Sequence, residues 1–551
     1  MSTPNLPPQT SPDTDPKSNV PIDSSAPELK ARVHEDEAPY CILPEKEKVF
    51  LMLLCSFAAI ISPISSSIYF PAIGTLAEDL HVSVSDINLT VTMYLIFQGL
   101  APSIVASLSD THGRRPAYLA CFTIYIATNI ALALQNSYAA LMVLRCLQST
   151  GSSGTIALSS ATVSDLATRA ERGKYIGFAT MGVTLGPALG PVIGGLLSHF
   201  LGWRAIFWFL VILSGVLGAT LLLFLPETCR AVVGNGSVPP KRWNRSIWQI
   251  IRARSWSKNK NIDAPFAAER AYNTLQKRRN RRNPLTASLS IATESKEAFI
   301  ILIYGGLLFS GYMAILSTLT SELEARFNYN TIQIGLCYLP LGLGSLTSRW
   351  TVGTLLDMNF KREAKRQSLV ISKNKQQDLK GFNIERARLA VTLPFTYLSC
   401  AFILGYGWVM QARTSSSIAG TLIFIFLSGH TTSGSFSSLN TLIVDTNAES
   451  PATAVAASNL FRCLMGAGAV AAATPLIERV GMGWMATLVA GVWVVVSPCL
   501  WIVYYRNRGH LKWEQLYPAG SEVAVGVQLL SDVALSQYMN SSGRNVFLTA
   551  P

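Results

Sequence analysis

The sequence predicts an all-α membrane protein whose twelve transmembrane helices form two six-helix halves. Apolar residues make up 49% of the chain and gather in runs of about 20 residues, the length that crosses a bilayer. Only 14% of the residues are charged, against roughly 25% in soluble domains. The runs form two sets of six around a long basic stretch, and most of the positive charges lie between runs.

The chain divides into five regions in order. Residues 1–45 are rich in Pro, Ser, Thr and Asp, a composition typical of a disordered tail. Residues 46–225 hold the first six spans, and 226–297 form a basic linker. Residues 298–505 hold the second six spans, and 506–551 form a polar tail. The predicted spans are 49–71, 87–108, 117–134, 138–163, 175–200, 205–225, 298–319, 332–356, 389–410, 418–444, 452–477 and 484–505.

The charges of the joints predict the orientation. Even-numbered joints are basic, as at Arg114 and Arg115, in the 226–297 linker and at 361–388, whereas odd joints carry acids such as Glu78. Because basic loops remain in the cytoplasm, both termini are predicted to be cytoplasmic. A nucleic-acid or anionic-lipid patch in the linker is the alternative interpretation of its charge; we expect no nucleic-acid partner.

The fifth span carries glycine at every fourth position and two prolines. On a helix this spacing makes a stripe without side chains, along which a neighbouring helix can approach closely. The prolines free backbone carbonyls that packed neighbours must satisfy in lipid. We therefore predict a tightly packed helix at a helix–helix interface, serving structure alone or conformational change. Its residues are Gly182, Gly186, Pro187, Gly190, Pro191, Gly194 and Gly195.

Two joints on the predicted cytoplasmic side share a pattern of a small residue, Leu, one residue, Asp and then a basic pair. They occupy equivalent places after the second span of each half, which suggests a parallel repeat. Aspartates beside basic residues at helix ends can form bonds that hold one conformation of a rocking bundle. Ordinary positive-inside anchoring is the alternative. The predicted gating residues are Asp110, Gly113, Arg114 and Arg115 in the first joint and Asp357, Lys361 and Arg362 in the second.

Ionisable groups within spans are costly and are therefore functional candidates. These are Arg145, Arg349, Arg462 and His430, and no Asp or Glu lies deep in a predicted span. Among them, His430 has a pKa suited to carrying protons, or it is a neutral residue bonded between helices. A pocket lined by cations without acids favours anionic or neutral cargo. Candidate cargo contacts, each with a packing alternative, are Tyr69, Tyr94, Gln98, Tyr312 and Asn440.

Taken together, these motifs resemble the major facilitator superfamily over residues 46–505. The first joint is similar to the family's Gly-x-Leu-x-Asp-Arg-x-Gly-Arg pattern, with Ser107 replacing Gly and Thr111 replacing Arg. The stretch 144–151 is similar to its fourth-helix arginine motif, and the glycine–proline stretch to its antiporter motif. The set, with 459–464, is similar to fungal 12-span drug:proton antiporters of the quinidine-resistance type.

The resemblance implies a plasma-membrane exporter of a drug, toxin or secondary metabolite, working by alternating access and proton antiport. It ties Arg145 to proton transfer or helix coupling. We expect a small-molecule substrate, protons and the bilayer as partners, a monomer, no metal, and no cofactor beyond the proton gradient. An exporter of di- or tricarboxylates and a non-transporting membrane sensor are the alternatives. The sequence shows no nucleophile–base pair, metal cluster or P-loop, so we predict a transporter and not an enzyme.

Overall fold

The structure is a computed structural model of the full chain. It describes residues 41, 43–167, 172–234, 240, 244–247, 249–250, 289–293, 295–367, 382–412, 417–447 and 451–516. Side-chain surroundings are described for most of these, except in 172–185 and 506–516. The predicted N-terminal tail, most of the 226–297 linker, part of the 361–388 loop and residues 517–551 lie outside the described residues.

The described residues form twelve long helical segments. They are α1 (Glu45–Asp79), α2 (Val84–His112), α3 (Arg114–Leu134), α4 (Tyr138–Leu166), α5 (Arg172–Leu201), α6 (Arg204–Phe224), α7 (Lys296–Phe327), α8 (Thr331–Cys337 continuing as Leu339–Arg366), α9 (Ile384–Gln411), α10 (Ser417–Thr446), α11 (Pro451–Val480) and α12 (Met482–Leu516). A short helix, Arg230–Val233, follows α6.

Eight of these segments are long and apolar enough to cross a membrane: α1, α2, α3, α6, α7, α9, α11 and α12. The described part of α5 contributes a shorter apolar stretch, Gly186–Leu201. More polar segments hide their polar groups from lipid, as in α4, where Arg145, Gln148, Ser149 and Ser152 are buried between helices. The all-α membrane fold predicted from the sequence is confirmed.

Local sequence sets several helix boundaries. A reciprocal capping box of Ser83 and Asp86 begins α2, because each side chain accepts the other residue's backbone N–H. Asn330 and Gln333 begin α8 in the same way. The α2–α3 joint is a single residue, Gly113, whose φ of 109° favours glycine.

The helices are arranged as two halves, α1–α6 and α7–α12, within one compact unit that starts at Cys41. We call the side where α6 ends and α7 begins the linker side, and the opposite side the far side. The halves meet mainly where α2 packs on α11 and α5 packs on α8.

Contacts between the halves concentrate at the far side and the middle of the bundle. Asn88 of α2 donates to the Thr474 hydroxyl of α11 over 2.9 Å. Thr320 of α7 donates to the carbonyl of Phe70, whose ring stacks on Tyr338. Among residues with described side chains, no hydrogen bond joins the linker-side ends of the two halves. Within the described side chains, the two halves are therefore joined at the far side and in the middle, not at their linker-side ends.

Candidate transport site and gate

Arg145 lies in the centre of the first half and is 1% exposed. Its guanidinium carbon lies 4.2 Å from the ring centre of Tyr69 and 4.4 Å from that of Tyr94. Its Nη1 donates to the Gln148 side-chain oxygen over 2.6 Å. The two tyrosine faces attract the cation through their quadrupoles, so this arginine is held without a carboxylate among the described side chains.

A chain of polar groups extends from Arg145 through the first half. Gln148 donates to Asn129, which in turn donates to the backbone carbonyl of Tyr125. The Nε and Nη2 groups of Arg145 have no hydrogen-bond partner within the described part of the chain. Burying a cation is costly, and among the described groups the two tyrosine faces and the Gln148 side chain offset that cost.

Arg462 of α11 is the corresponding cation in the second half. Its guanidinium carbon lies 4.9 Å from the ring centre of Phe309 on α7 and 5.0 Å from that of Phe436 on α10. Its Nη2 donates to Asn459 over 2.6 Å, and Asn459 donates to the backbone carbonyl of Gln98 in the opposite half. Arg462 is only partly buried, although its Nε is enclosed without a described partner.

Arg349 lies within α8. About two turns earlier on this helix, Gly342 packs on Ala188 of α5. Arg349 itself is exposed. Its role in transport stays a prediction.

His430 lies between helices of the second half. Its Nδ1 is 2.9 Å from the Thr347 hydroxyl and its Nε2 is 3.1 Å from the Thr351 hydroxyl. Its ring stacks between Phe395 and Phe426. Both threonine hydroxyls also donate to backbone carbonyls of α8, Thr347 to Gly344 and Thr351 to Ser348, so these contacts do not select one protonation state of the imidazole. The role of His430 in proton transfer and its alternative as a neutral residue bonded between helices both stay predictions.

The other predicted cargo contacts fall into two groups. Tyr69 and Tyr94 are buried against Arg145, and their hydroxyls pair with Thr90 and Ser152. By contrast, Tyr312 and Asn440 are partly exposed in the second half. Gln98 is buried on α2, and its side-chain oxygen has no partner among the described residues. Their roles in binding stay predictions.

The glycine–proline helix packs closely on two neighbours, α1 and α8. A Cβ at Gly186 would lie 2.5 Å from the Pro63 Cβ of α1, and Cβ atoms at Gly190 and Gly194 would overlap Ser67 and the Ile68 carbonyl. The Ser67 hydroxyl also donates to the backbone carbonyl of Gly186, the residue directly before Pro187. The surroundings of Gly182 lie outside the described side chains.

Gly195 faces the opposite half instead. A Cβ there would lie 2.6 Å from the Thr331 carbonyl oxygen and 3.1 Å from the Cα of Gly335, both on α8. Gly335 in turn approaches the Pro191 carbonyl, where an added Cβ would lie 2.7 Å away. Adjacent glycines of one helix thus serve different interfaces, one within a half and one between the halves.

The first linker-side joint forms an ionic cluster around the buried side chain of Arg114. Arg114 Nε donates to Asp165 at the end of α4 over 2.8 Å, and Arg114 Nη1 pairs with Asp110 of α2. The same nitrogen donates to Ser109 over 2.6 Å. One arginine thereby ties together the linker-side ends of α2, α3 and α4.

Glu227, just beyond α6, completes this cluster. Its carboxylate accepts the backbone N–H groups of Arg114 (2.7 Å) and Arg115 (3.3 Å) at the start of α3. It also accepts from the Asn244 side chain over 2.7 Å. A negative group at a helix N-terminus is favourable because it meets free N–H groups and the positive end of the dipole. A side chain at Gly113 would overlap this carboxylate, which accounts for glycine there.

The second half forms its equivalent ion pair from different residues than the repeat suggested. Arg388 near the start of α9 donates to Asp445 near the end of α10 over 3.0 Å, as Arg114 does to Asp165. Asp357, Lys361 and Arg362 are exposed on α8, with no ion pair to a described residue. Their part in gating stays a prediction. The ion pair Arg388–Asp445 is the structural counterpart of Arg114–Asp165 in the first half.

The family model of the Major Facilitator Superfamily matches residues 55–470 of this chain. The chain belongs to the major facilitator superfamily. Relatives of similar length include the MFS-type transporter R5 of a Phoma species, which is 50% identical over 86% of this chain and 87% of its own. The MFS-type transporter clz19 of Cochliobolus lunatus has the same identity and coverage. Quinidine resistance protein 1 of Saccharomyces cerevisiae is 34% identical over 86% of this chain and 85% of its own.

A solved structure supports the fold independently. The human organic anion transporter MFSD10 (TETRAN) matches with a TM-score of 0.52 and 16% identity, over 83% of this chain and all of that chain. At this identity the likeness concerns the fold alone. With the family established, the chain is a membrane transporter of the major facilitator superfamily and not an enzyme, as the sequence predicts.

The sequence of this transporter did not predict the role of Glu227 or the ion pairs of Arg114 with Asp165 and of Arg388 with Asp445. Asp165 and Asp445 are recognisable only as acids at helix ends, because their arginines come from other helices. Glu227 leaves one signal in the sequence, an acid directly after Pro226 at the start of an otherwise basic linker.

The ion pair between Arg114 and Asp165 predicts a pH dependence of stability. Asp165 lies beyond the predicted fourth span, and burial raises the pKa of its carboxyl from 3.8 to about 6 although Arg114 opposes this. Because the folded protein binds this proton more tightly than the unfolded chain, the stability from Asp165 is complete below pH 3.8 and is lost as the pH rises through about 6. Relative to Asp165→Asn, the melting temperature of the wild type should therefore fall across this window.

The measurement is the melting temperature of both purified proteins in detergent across that pH range. Glu478→Gln, at an exposed far-side acid on α11, is the matched control and should parallel the wild type. Parallel curves for the wild type and Asp165→Asn would show that Asp165 does not titrate in this window.

Proposed function

We propose that this transporter exports small organic molecules, such as a drug, toxin or secondary metabolite, across the plasma membrane by proton antiport. The name of Quinidine resistance protein 1 refers to resistance to a drug, and that relative covers nearly the same part of the chain. Without a P-loop in the sequence, uphill transport draws on a gradient, for which the proton gradient is our proposal. The cargo binds between the halves, and the halves rock about it.

One observation carries the alternating-access part of the proposal: the halves touch at the far side and not at their linker-side ends within the described side chains. The contacts of Gly195 with Thr331, Asn88 with Thr474 and Phe70 with Tyr338 join the halves on the far side. We take this as the inward-facing state. Opening the far side then requires these contacts to break while new ones form at the linker side.

Charge supports the proposed orientation and gate. The ionic clusters of Arg114 and Arg388 both lie at the linker side, which we assign to the cytoplasm with both termini. Each cluster ties helix ends within one half, so each half can move as a unit. We propose a monomer, because one chain contains both halves of the predicted cavity.

An organic-acid exporter is the second candidate, and the arginines favour it. Arg145 and Arg462 contact aromatic faces and amide oxygens, with no carboxylate partner among the described side chains. An acid cargo would supply the missing negative charge. This candidate shares the fold, direction and alternating access with the first.

The test is transport by the full chain in proteoliposomes with an imposed pH gradient, using radiolabelled quinidine and radiolabelled citrate as probes. We expect one probe to accumulate against its gradient, and a protonophore to abolish that accumulation. Gradient-driven movement of quinidine supports the drug exporter, and movement of citrate supports the acid exporter. Equal fluxes with and without protein for both probes would contradict the proposal.

A further inference from the structure

We propose that Arg462 anchors the carboxylate of an amphipathic cargo whose apolar body lies against Phe309, Tyr312 and Phe436. This inference rests on the proposed function and names a cargo class and a subsite for it. It concerns one corner of the second half, formed by α7, α10 and α11.

The geometry of Arg462 leaves it ready for an anion. Phe309 and Phe436 flank the guanidinium at 4.9 and 5.0 Å, and Asn459 takes up the Nη2 donor. The Nε–H is buried and unpartnered among described residues. Because the Nε–H is enclosed, a carboxylate would approach the outer edge that Nη1 and Nη2 form, which offers two parallel N–H bonds.

The charges around this corner are consistent with a missing negative group. No described Asp or Glu forms an ion pair with Arg462, whereas Arg114, Arg204, Arg326 and Arg388 each have one. Arginine keeps its proton, so the site stays positive. A partly enclosed cation without a counter-charge is costly, and an anionic cargo would offset that cost.

The neighbouring rings provide a surface for the rest of the cargo. Phe309 lies 6.3 Å from Tyr312 and 6.4 Å from Phe436 between ring centres, so the three rings form one cluster. All three side chains are partly exposed, unlike the fully buried core aromatics.

Arg145 does not serve as this anchor in the same state. It is 1% exposed and covered on its faces by Tyr69 and Tyr94. Arg462 is accessible, so an incoming carboxylate meets it first. The two arginines thus differ in role although their aromatic surroundings are alike.

The experiment measures binding of ω-phenylalkanoic acids of increasing chain length, and of the matching neutral amides, to the purified full chain. Wild-type protein should bind at least one acid about tenfold or more tighter than its amide, since a charged hydrogen-bonded pair is worth about that much. Arg462→Gln should remove this preference, judged as the ratio of acid to amide affinity measured on the same variant. Arg462→Lys, which keeps the charge without the planar edge, should retain part of it.

Arg479→Gln is the matched control, because Arg479 is an exposed arginine on the same helix at the far side. It should keep the full preference for the acid. Equal binding of every acid and its amide by the wild type, or an undiminished preference in a folded Arg462→Gln protein, overturns the inference. If Arg462→Gln fails to fold, the Arg462→Lys variant decides: an undiminished preference there also overturns it.

Transport separates this inference from the proposed function. If the full chain moves quinidine or citrate under a pH gradient but shows no preference for acids over amides, the anchor is wrong and the exporter stands. If acids bind through Arg462 but no probe crosses the membrane, the exporter is wrong and the anion site stands.

Discussion

Valine at Gly194 and valine at Gly195 are expected to damage the protein in different ways. The Cβ at position 194 would overlap the Ile68 carbonyl of α1, a backbone atom in the same half. That half cannot relax without losing its packing, so Gly194→Val should prevent stable folding. The Cβ at Gly195 meets Thr331 and Gly335 of the other half, and separating the halves relieves it.

Gly195→Val should therefore fold but favour the state with an open far side. Overpacking costs about 1–3 kcal/mol, which would shift the balance of states about fivefold to 150-fold. The measurement is the labelling rate of a cysteine introduced at Asn88 by a membrane-impermeant maleimide, together with size-exclusion profiles. Gly215→Val, where an added Cβ meets nothing within 4 Å, is the control and should leave both unchanged. Equal folding and equal labelling in all three variants would contradict the assigned interfaces.

Removing the Glu227 carboxylate is expected to destabilise the linker side strongly. Besides Arg114, Arg115 and Asn244, this carboxylate accepts the N–H groups of Thr228 (3.1 Å) and Cys229 (2.9 Å). Each buried donor left without a partner costs about 1–3 kcal/mol, so Glu227→Ala should cost several kcal/mol in all. We expect a lower melting temperature and faster proteolysis of the linker.

Glu227→Gln keeps the shape of the side chain and removes its charge, so it separates the two contributions to stability. The amide keeps one acceptor oxygen, so its effect should be clearly smaller than that of alanine. Glu478→Ala, at an exposed far-side acid, should leave the melting temperature within about one degree of the wild type, as surface substitutions usually do. A melting temperature of Glu227→Ala as high as that of Glu478→Ala would show that the carboxylate does not stabilise the joint.

The sequence was sufficient to predict the glycine stripe but not its partners. Spacing by four places Gly186, Gly190 and Gly194 on one face, and the structure packs that face on α1. Spacing alone could not tell that Gly195, one residue further, faces the other half. That distinction depends on where α1 and α8 lie around α5, which is a property of the tertiary structure.

The membrane arginines were likewise predicted, whereas their surroundings were not. An arginine in an apolar run is visible in any sequence, as Arg145 and Arg462 are. Their aromatic partners come from other helices: Tyr69 and Tyr94 for the first, Phe309 and Phe436 for the second. Such pairs cannot be read from local spacing, because the contacts join residues far apart in the chain.

The repeat at the joints shows the same limit. Matching short strings led to Asp357, since it stands in a pattern like that around Asp110. The structure instead repeats an ion pair between helices, Arg114–Asp165 and Arg388–Asp445. The contact between two helices is repeated in both halves, although the short sequence motif around it is not.

The most direct test of the account is a reversible cross-link across the far side. Asn88 and Thr474 donate and accept across the two halves at 2.9 Å, so cysteines at both positions lie close enough for a short linkage. The pair is introduced after the nine native cysteines are replaced, and each single variant serves as a control. If the halves must part at the far side, oxidation of the double variant abolishes transport and reduction restores it. Transport at the wild-type rate by the fully cross-linked protein would contradict alternating access through this side.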